Sequence, residues 1–99
     1  MYNPDLDEIE MQTQDQIIAR RNLRLGIWAG MRLGFRGERL SQYAQDVMAA
    51  DYRLPGPDDV IEKITDDFED RGVDYPIDLI RLEMQRLERQ VRAELSATD

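Results

Sequence analysis

The chain has neither cysteine nor histidine among its 99 residues. Their absence excludes disulfide bonds, thiolate chemistry and zinc sites built on Cys or His ligands. It also excludes every mechanism in which an imidazole serves as general base or proton shuttle. Glycine-rich phosphate loops are missing as well, since neither G-x-x-x-x-G-K-[ST] nor G-x-G-x-x-G occurs. We therefore expect a protein that is not an enzyme and that carries no cofactor.

Long apolar segments are also missing. The longest run of apolar residues and glycine, Leu25 to Met31, is seven residues long and is bounded by Arg24 and Arg32. A membrane-spanning helix needs about 20 such residues, so we expect no membrane insertion. The first ten residues are acidic and lack the apolar core of a secretory signal. These features predict a cytoplasmic protein.

Charge is unevenly distributed along a chain whose net charge is −8. Residues 1–19 contain five acidic and no basic residues, and residues 20–53 contain seven arginines against three acidic residues. Residues 54–80 are again acidic, with nine acidic residues against two basic ones. The net negative charge, and the lack of aromatic residues interleaved with the arginines, argue against nucleic-acid binding. We expect the arginines to pair with the protein's own acidic third helix, the alternative being a docking surface for an acidic partner.

The acidic residues do not form a metal or acid–base site. An EF-hand loop needs glycine at its sixth position and glutamate at its twelfth, and a loop starting at Asp66 has Arg71 and Ile77 there. Asp58 and Asp59 are adjacent and point apart on a helix. We expect no bound metal.

Hydrophobic periodicity predicts a long first helix, from about residue 5 to residue 33, that ends at Gly34. Its predicted buried face consists of Ile18, Leu25, Trp28 and Met31. The glycines at 26, 30 and 34 indicate close approach of a neighbouring helix, with Trp28 as a core anchor. Before Ile17 the pattern thins, so we expect residues 1–18 to be a mobile segment when the protein is free.

Three further helices follow with short connections. The second, from about Gly37 to Tyr52, has Leu40, Tyr43, Ala44, Val47 and Met48 on one face. The third begins near Pro57, ends at Gly72 and presents Val60, Ile61, Ile64 and Phe68. The fourth carries a coiled-coil-like seam of Ile77, Ile80, Met84, Leu87 and Val91, which we assign to the internal core rather than to a dimer contact. The sequence predicts an all-α, single-domain four-helix bundle at residues 19–95, with residues 96–99 as a tail, monomeric when free.

Three ordered motifs carry a resemblance to a known family. Residues 19–29, ARRNLRLGIWA, resemble the signature A-R-R-N-[KR]-L-L-G-x-W-A of the alphaproteobacterial ATPase-inhibitor zeta subunit family. Residues 43–52, YAQDVMAADY, are similar to its Y-A-K-E-V-V-K-A-D-F motif. The third motif, residues 55–64, PGPDDVIEKI, followed by Gly72-Val73-Asp74, is similar to the family's P-G-D-E-D-V-x-x-K-V and G-V-D, in the same order. The resemblance covers residues 19–91.

The resemblance implies a regulatory, non-catalytic function. Zeta subunits bind the catalytic head of the F-type ATP synthase and block ATP hydrolysis by inserting a mobile N-terminal segment between catalytic subunits. By this resemblance the chain would be cytoplasmic and peripheral at the inner membrane through the ATP synthase. Its partner-binding residues would be Leu6, Ile9, Met11, Ile17, Arg20, Arg21 and Arg24. Its structural signature residues would be Asn22, Gly26, Trp28, Gly34, Tyr43, Asp51, Gly56, Val60 and Gly72.

The N-terminal segment departs from the family pattern. Asp7 and Asp15 stand where phenylalanines are expected, Thr13 stands where a leucine is expected, and no basic residue precedes Arg20. Aromatic anchors often dominate the energetics of an interface. One alternative is therefore a zeta-fold paralogue that no longer inhibits and serves as a protein-interaction module. Another is a nucleotide or anion sensor built on the arginine cluster Arg20, Arg21, Arg24 and Arg32.

Overall fold

Four α-helices form the described part of the chain: α1 (Pro4–Arg32), α2 (Gly37–Ala50), α3 (Asp58–Asp70) and α4 (Ile77–Ala97). This computed structural model describes the backbone of residues 4–50 and 58–97, and the side chains of residues 13–50 and 58–96. Helix α1 packs most extensively against α2 and α4, and α3 closes the bundle on the far side. The predicted all-α four-helix architecture is confirmed. The predicted mobility of residues 1–18 stays a prediction, because side chains before Thr13 lie outside the described residues.

The predicted end of α1 is confirmed at Gly34. Its φ of +89° places it in the left-handed region that favours glycine. The Phe35 N–H donates to the Gly30 carbonyl at 2.9 Å, and the Gly34 N–H donates to the Met31 carbonyl at 3.0 Å. These two hydrogen bonds satisfy carbonyls that the helix end leaves without partners. Helix α3 ends in the same way at Gly72, whose φ is +70°.

The core face predicted for α3 is confirmed, and the face predicted for α4 is confirmed except at Ile77. All four predicted residues of α3, from Val60 to Phe68, are buried. On α4 the seam from Ile80 to Val91 is buried, whereas Ile77 is 41% exposed at the helix start. The seam therefore belongs to the core of one chain, as expected. In α2 the Tyr43, Ala44 and Val47 side chains are buried as well.

The buried face predicted for α1 is wrong in part. Leu25 is buried, but Ile18 and Trp28 are only half-buried and Met31 is 63% exposed. Among the described side chains of this helix, Ile17, Arg21, Asn22, Leu25 and Ala29 are buried, and Leu33 is buried just beyond its end. The predicted and observed buried faces differ because the glycines of α1 determine which side of this helix packs against α2.

Gly26 and Gly30 confirm the predicted close packing of a neighbouring helix, whereas the prediction is wrong for Gly34, where an added Cβ atom would meet nothing within 4 Å. A Cβ atom on Gly26 would lie 2.8 Å from the Cα of Ala44, closer than real Cβ atoms approach. A Cβ atom on Gly30 would lie 2.5 Å from Cδ1 of Leu40. Successive helical residues are about 100° apart, so turning Gly30 toward α2 turns Met31 away from it.

Candidate functional site

The first three basic residues of α1 lie where the helix passes α4. Arg21 is 7% exposed, and its Nη1 donates to Oε1 of Glu88 on α4 at 2.9 Å. Its Nε donates to Oδ1 of the neighbouring Asn22, also buried, at 3.0 Å. The predicted partner residue Arg21 is therefore engaged inside its own bundle, where it joins α1 to α4.

The network continues from Glu88 to Arg92 and back to α1. Arg92 Nε donates to Glu88 Oε2 at 3.4 Å, and Arg92 Nη2 donates to Oε1 of Gln14 at 3.2 Å. Burial alone would raise the pKa of Glu88, but the hydrogen bonds and charges of Arg21 and Arg92 outweigh it and lower that pKa. Ionised Glu88 therefore connects two turns of α1, since it pairs directly with Arg21 and is joined to Gln14 through Arg92.

Arg24 and Arg20 lie further out on the same side of α1. Arg24 donates through both terminal nitrogens to the two carboxylate oxygens of Glu94, an exposed bidentate pair that lowers the pKa of Glu94. The Arg20 side chain is exposed, and its charge also favours ionised Glu94. The expectation that these arginines pair with α3 is wrong, because the acidic residues that Arg21 and Arg24 meet lie on α4.

Trp28 lies at the edge of the core rather than at its centre. Its ring centroid is 6.1 Å from that of Phe68 and 5.3 Å from that of Tyr75. The Arg32 guanidinium lies 4.8 Å from the Trp28 ring centroid and 4.7 Å from that of Tyr75. These contacts agree with the predicted role of Trp28 as a core anchor. The Arg32 guanidinium covers the Trp28 and Tyr75 rings.

The residues proposed for the N-terminal segment are only partly described. Ile17 is 4% exposed and lines a groove with Arg92, Leu95 and Ser96 of α4. The side chains of Leu6, Ile9 and Met11 lie outside the described residues, although the backbone there belongs to α1. The structure thus places Ile17 with the bundle, on the C-terminal side of any segment that is free to insert.

Two of the remaining signature residues, Tyr43 and Val60, lie inside the bundle. Tyr43 donates its hydroxyl to Oδ2 of Asp67 at 2.8 Å, and Lys63 donates to the same oxygen at 3.0 Å. Burial, reinforced by this hydrogen bond, raises the pKa of Tyr43 well above its ordinary value. Val60 is fully buried, and Asp51 and Gly56 lie outside the described residues.

The arginines of the proposed anion sensor do not converge on one point. Arg21 and Arg24 are paired with carboxylates on α4, whereas Arg32 is stacked on two aromatic rings. No group of three or more possible metal-ligating side chains occurs within the described residues. None of the described helices is long and apolar enough to cross a membrane.

Sequence reasoning did not identify the exposed apolar residues on α4. Leu79 is 43% and Leu82 is 56% exposed. Both lie outside the seam that runs from Ile80 to Val91, and leucines placed off the seam of an amphipathic helix are the signal that could have revealed them.

The fold defines a class of small all-helical proteins that has a solved representative. A protein structure determined by solution NMR matches this one with a TM-score of 0.74 and 29% sequence identity, covering 87% of this chain and 98% of that chain. No curated protein sequence matches the chain at a significant level. The family model described as ATPase inhibitor subunit zeta matches residues 8–94. The chain belongs to this family, which is regulatory rather than catalytic, and its regulatory role concerns the ATP synthase.

Proposed function

We propose that this protein binds the catalytic head of the F-type ATP synthase and inhibits ATP hydrolysis through the N-terminal part of α1. The observation that carries the proposal is the family match, which starts at residue 8 and so includes most of the segment before Ile17. In this function the protein works in the cytoplasm as a monomer and reaches the inner membrane only through the ATP synthase.

The course of α1 supports this proposal. The helix is continuous from Pro4 to Arg32, and among the described side chains Gln14, Ile17 and Arg21 attach it to α4. Residues 4–12 precede these contacts along the same helix. A segment that enters an interface as an extension of a packed helix loses less conformational entropy than an unstructured one.

The test is ATP hydrolysis by an isolated alphaproteobacterial catalytic head, titrated with the full chain and with a variant lacking residues 1–12. The deletion stops before Thr13 because removing Ile17 would remove a core side chain. We expect inhibition by the full chain and none by the truncated chain, with similar thermal unfolding of both. Equal inhibition by the two proteins would refute a role for the N-terminal segment.

The paralogue without inhibitory activity is the second candidate, and it is favoured by Asp7, Thr13 and Asp15 at positions where the family has apolar residues. It predicts binding to the head without inhibition, or no binding at all. Measuring binding and hydrolysis on the same samples separates the two candidates. A full-length variant with Leu6→Ser and Ile9→Ser provides the matched control, because it removes apolar side chains without shortening the helix.

A further inference from the structure

A series of side-chain hydrogen bonds from α4 spans two turns of α1. Arg92 lies at its centre, because its Nη2 donates to Oε1 of Gln14 at 3.2 Å and its Nε donates to Oε2 of Glu88 at 3.4 Å. The other carboxylate oxygen of Glu88 accepts from the buried Arg21 at 2.9 Å. Gln14 and Arg21 are seven residues apart, so they lie on one face of the helix. Side chains of α4 thus join two points of α1 that are about 10 Å apart along its axis.

Ile17 lies between these two points and faces the same turns of α4. Its side chain is 4% exposed, and it lines a groove of about 420 Å³ with Arg92 and Leu95. Leu95 is half-buried, and Thr13 and Gln16 line the groove from the side of α1. The attachment of this part of α1 therefore combines one buried apolar side chain with the polar link through Arg92.

Residues 13–16 of α1 contain no apolar side chain that could hold them in a helix. All four, Thr13, Gln14, Asp15 and Gln16, are exposed. A helical stretch that buries no apolar area is marginal in water. This stretch nevertheless joins Ile17 to residues 4–12 within one continuous helix. The direction in which residues 4–12 leave the bundle consequently depends on what holds residues 13–16.

We propose that Arg92 is a positioning residue for the N-terminal segment. By bonding to Gln14 and Glu88 together, it keeps residues 13–21 helical and so fixes the direction of residues 4–12. This inference rests on the proposed function and gives α4 a part in it. A segment that is ordered before binding loses less conformational entropy when it enters its site.

The exposure of Arg92 separates this role from general stability. Its side chain is 46% exposed, and exposed ion pairs contribute little to the free energy of unfolding. Loss of the Arg92 side chain therefore loosens the start of α1 without unfolding the bundle. Arg21 differs in this respect, because its side chain is only 8% exposed.

The first measurement is amide hydrogen exchange of the free full-length protein, comparing residues 13–16 with residues 25–29 of the same helix. Arg92→Ala should lower the protection factors of residues 13–16 by about two- to fivefold and leave the later residues unchanged. Gln14→Glu, which converts the link to Arg92 into an ion pair, should raise protection, and this gain should vanish when Arg92 is alanine. The matched control is Arg81→Ala, which removes the same charge from α4 at an arginine that pairs with α3.

The second measurement is ATP hydrolysis by the isolated catalytic head, titrated with the same full-length variants. Arg92→Ala should require a several-fold higher concentration for half-maximal inhibition, whereas Arg81→Ala should inhibit like the wild-type protein. Thermal unfolding of both variants should match that of the wild-type protein, because each substitution removes an exposed side chain.

The outcomes separate the positioning role from the proposed function. Unchanged protection of residues 13–16 in Arg92→Ala would overturn the role of Arg92, and weaker inhibition in that case would place this side chain in the contact with the head instead. Stronger inhibition by Arg92→Ala would also overturn it, because α4 would then hold the segment back from its partner. Lowered protection in Arg92→Ala, with no inhibition by the wild-type protein, would overturn the proposed function and leave the ordering of α1 by Arg92 standing.

Discussion

Arg21 on α1 and Glu88 on α4 are joined by a hydrogen-bonded ion pair across 67 positions of sequence. The guanidinium is buried, while the carboxylate is half-buried and also accepts from Arg92. Because the pair joins the two helices one turn after Ile17, it fixes the register of α1 against α4 on the C-terminal side of the proposed inhibitory segment.

Replacing Arg21 with alanine should destabilise the fold by about 2–3 kcal/mol, since it leaves a half-buried carboxylate without its main donor and opens space beside Asn22. Urea denaturation followed by circular dichroism measures this loss. Arg81→Ala is the control, because Arg81 pairs with Asp58 where both side chains are exposed, and it should give no measurable change. A loss for Arg21→Ala no larger than that for Arg81→Ala would contradict the importance of the buried pair.

Acid should weaken the fold through Glu88. Its pKa is lowered in the folded protein relative to the ordinary value of 4.5, so its contribution is complete above about pH 4.5 and is lost as the pH falls through the lower folded value. The free energy of unfolding should therefore fall more steeply below pH 4.5 in the wild-type protein than in Glu88→Gln. Parallel pH profiles of the two proteins between pH 6 and pH 3 would show that the pair does not carry this dependence.

High pH should destabilise the fold through the ionisation of Tyr43. Burial, with the hydrogen bond to Asp67, raises its folded pKa above the ordinary value of 10.0. Above pH 10 the unfolded chain releases this proton while the folded chain keeps it, so stability falls by up to about 1.4 kcal/mol per pH unit. Tyr43→Phe should be less stable at neutral pH by about 1 kcal/mol, yet lose less stability above pH 10. Equal alkaline slopes in denaturant titrations would argue against a protected hydroxyl.

The two interior glycines of α1 should respond differently to alanine. Gly26→Ala places a methyl group against the backbone of Ala44, so α1 and α2 must separate, and we expect a net loss of about 1–2 kcal/mol despite the better helix propensity of alanine. Gly30→Ala meets the movable end of Leu40 and should cost less. Thermal unfolding of both variants tests this order, and a greater loss for Gly30→Ala would reverse it.

The amphipathic helices were predictable from sequence, whereas the orientation of α1 was not. On α3 the residues from Val60 to Phe68 follow a simple helical period, and periodicity alone identifies the face that they bury. The buried side of α1 instead consists largely of glycine, alanine, Arg21 and Asn22, which carry little hydrophobic signal. Its apolar Met31 faces solvent, so counting apolar residues gave a face that was wrong in part.

The sequence also did not reveal which acidic residues pair with the arginines of α1. The acidic composition of residues 58–70 suggested α3, but α1 lies next to α4 and makes few contacts with α3. Which helices become neighbours depends on how the whole bundle packs. The spacing of residues along one helix does not encode this.

The close contact between Gly26 and Ala44 fixes the point at which α1 crosses α2. Backbone atoms, which cannot adopt other rotamers, set the angle at which α1 crosses α2. Pro4 lies about 33 Å along the helix axis from Gly26, so a tilt of about 10° at this crossing would move the tip by about 6 Å. In the proposed function, the place where the N-terminal segment meets its partner would therefore depend in part on two small residues in the middle of the bundle, far from the segment itself.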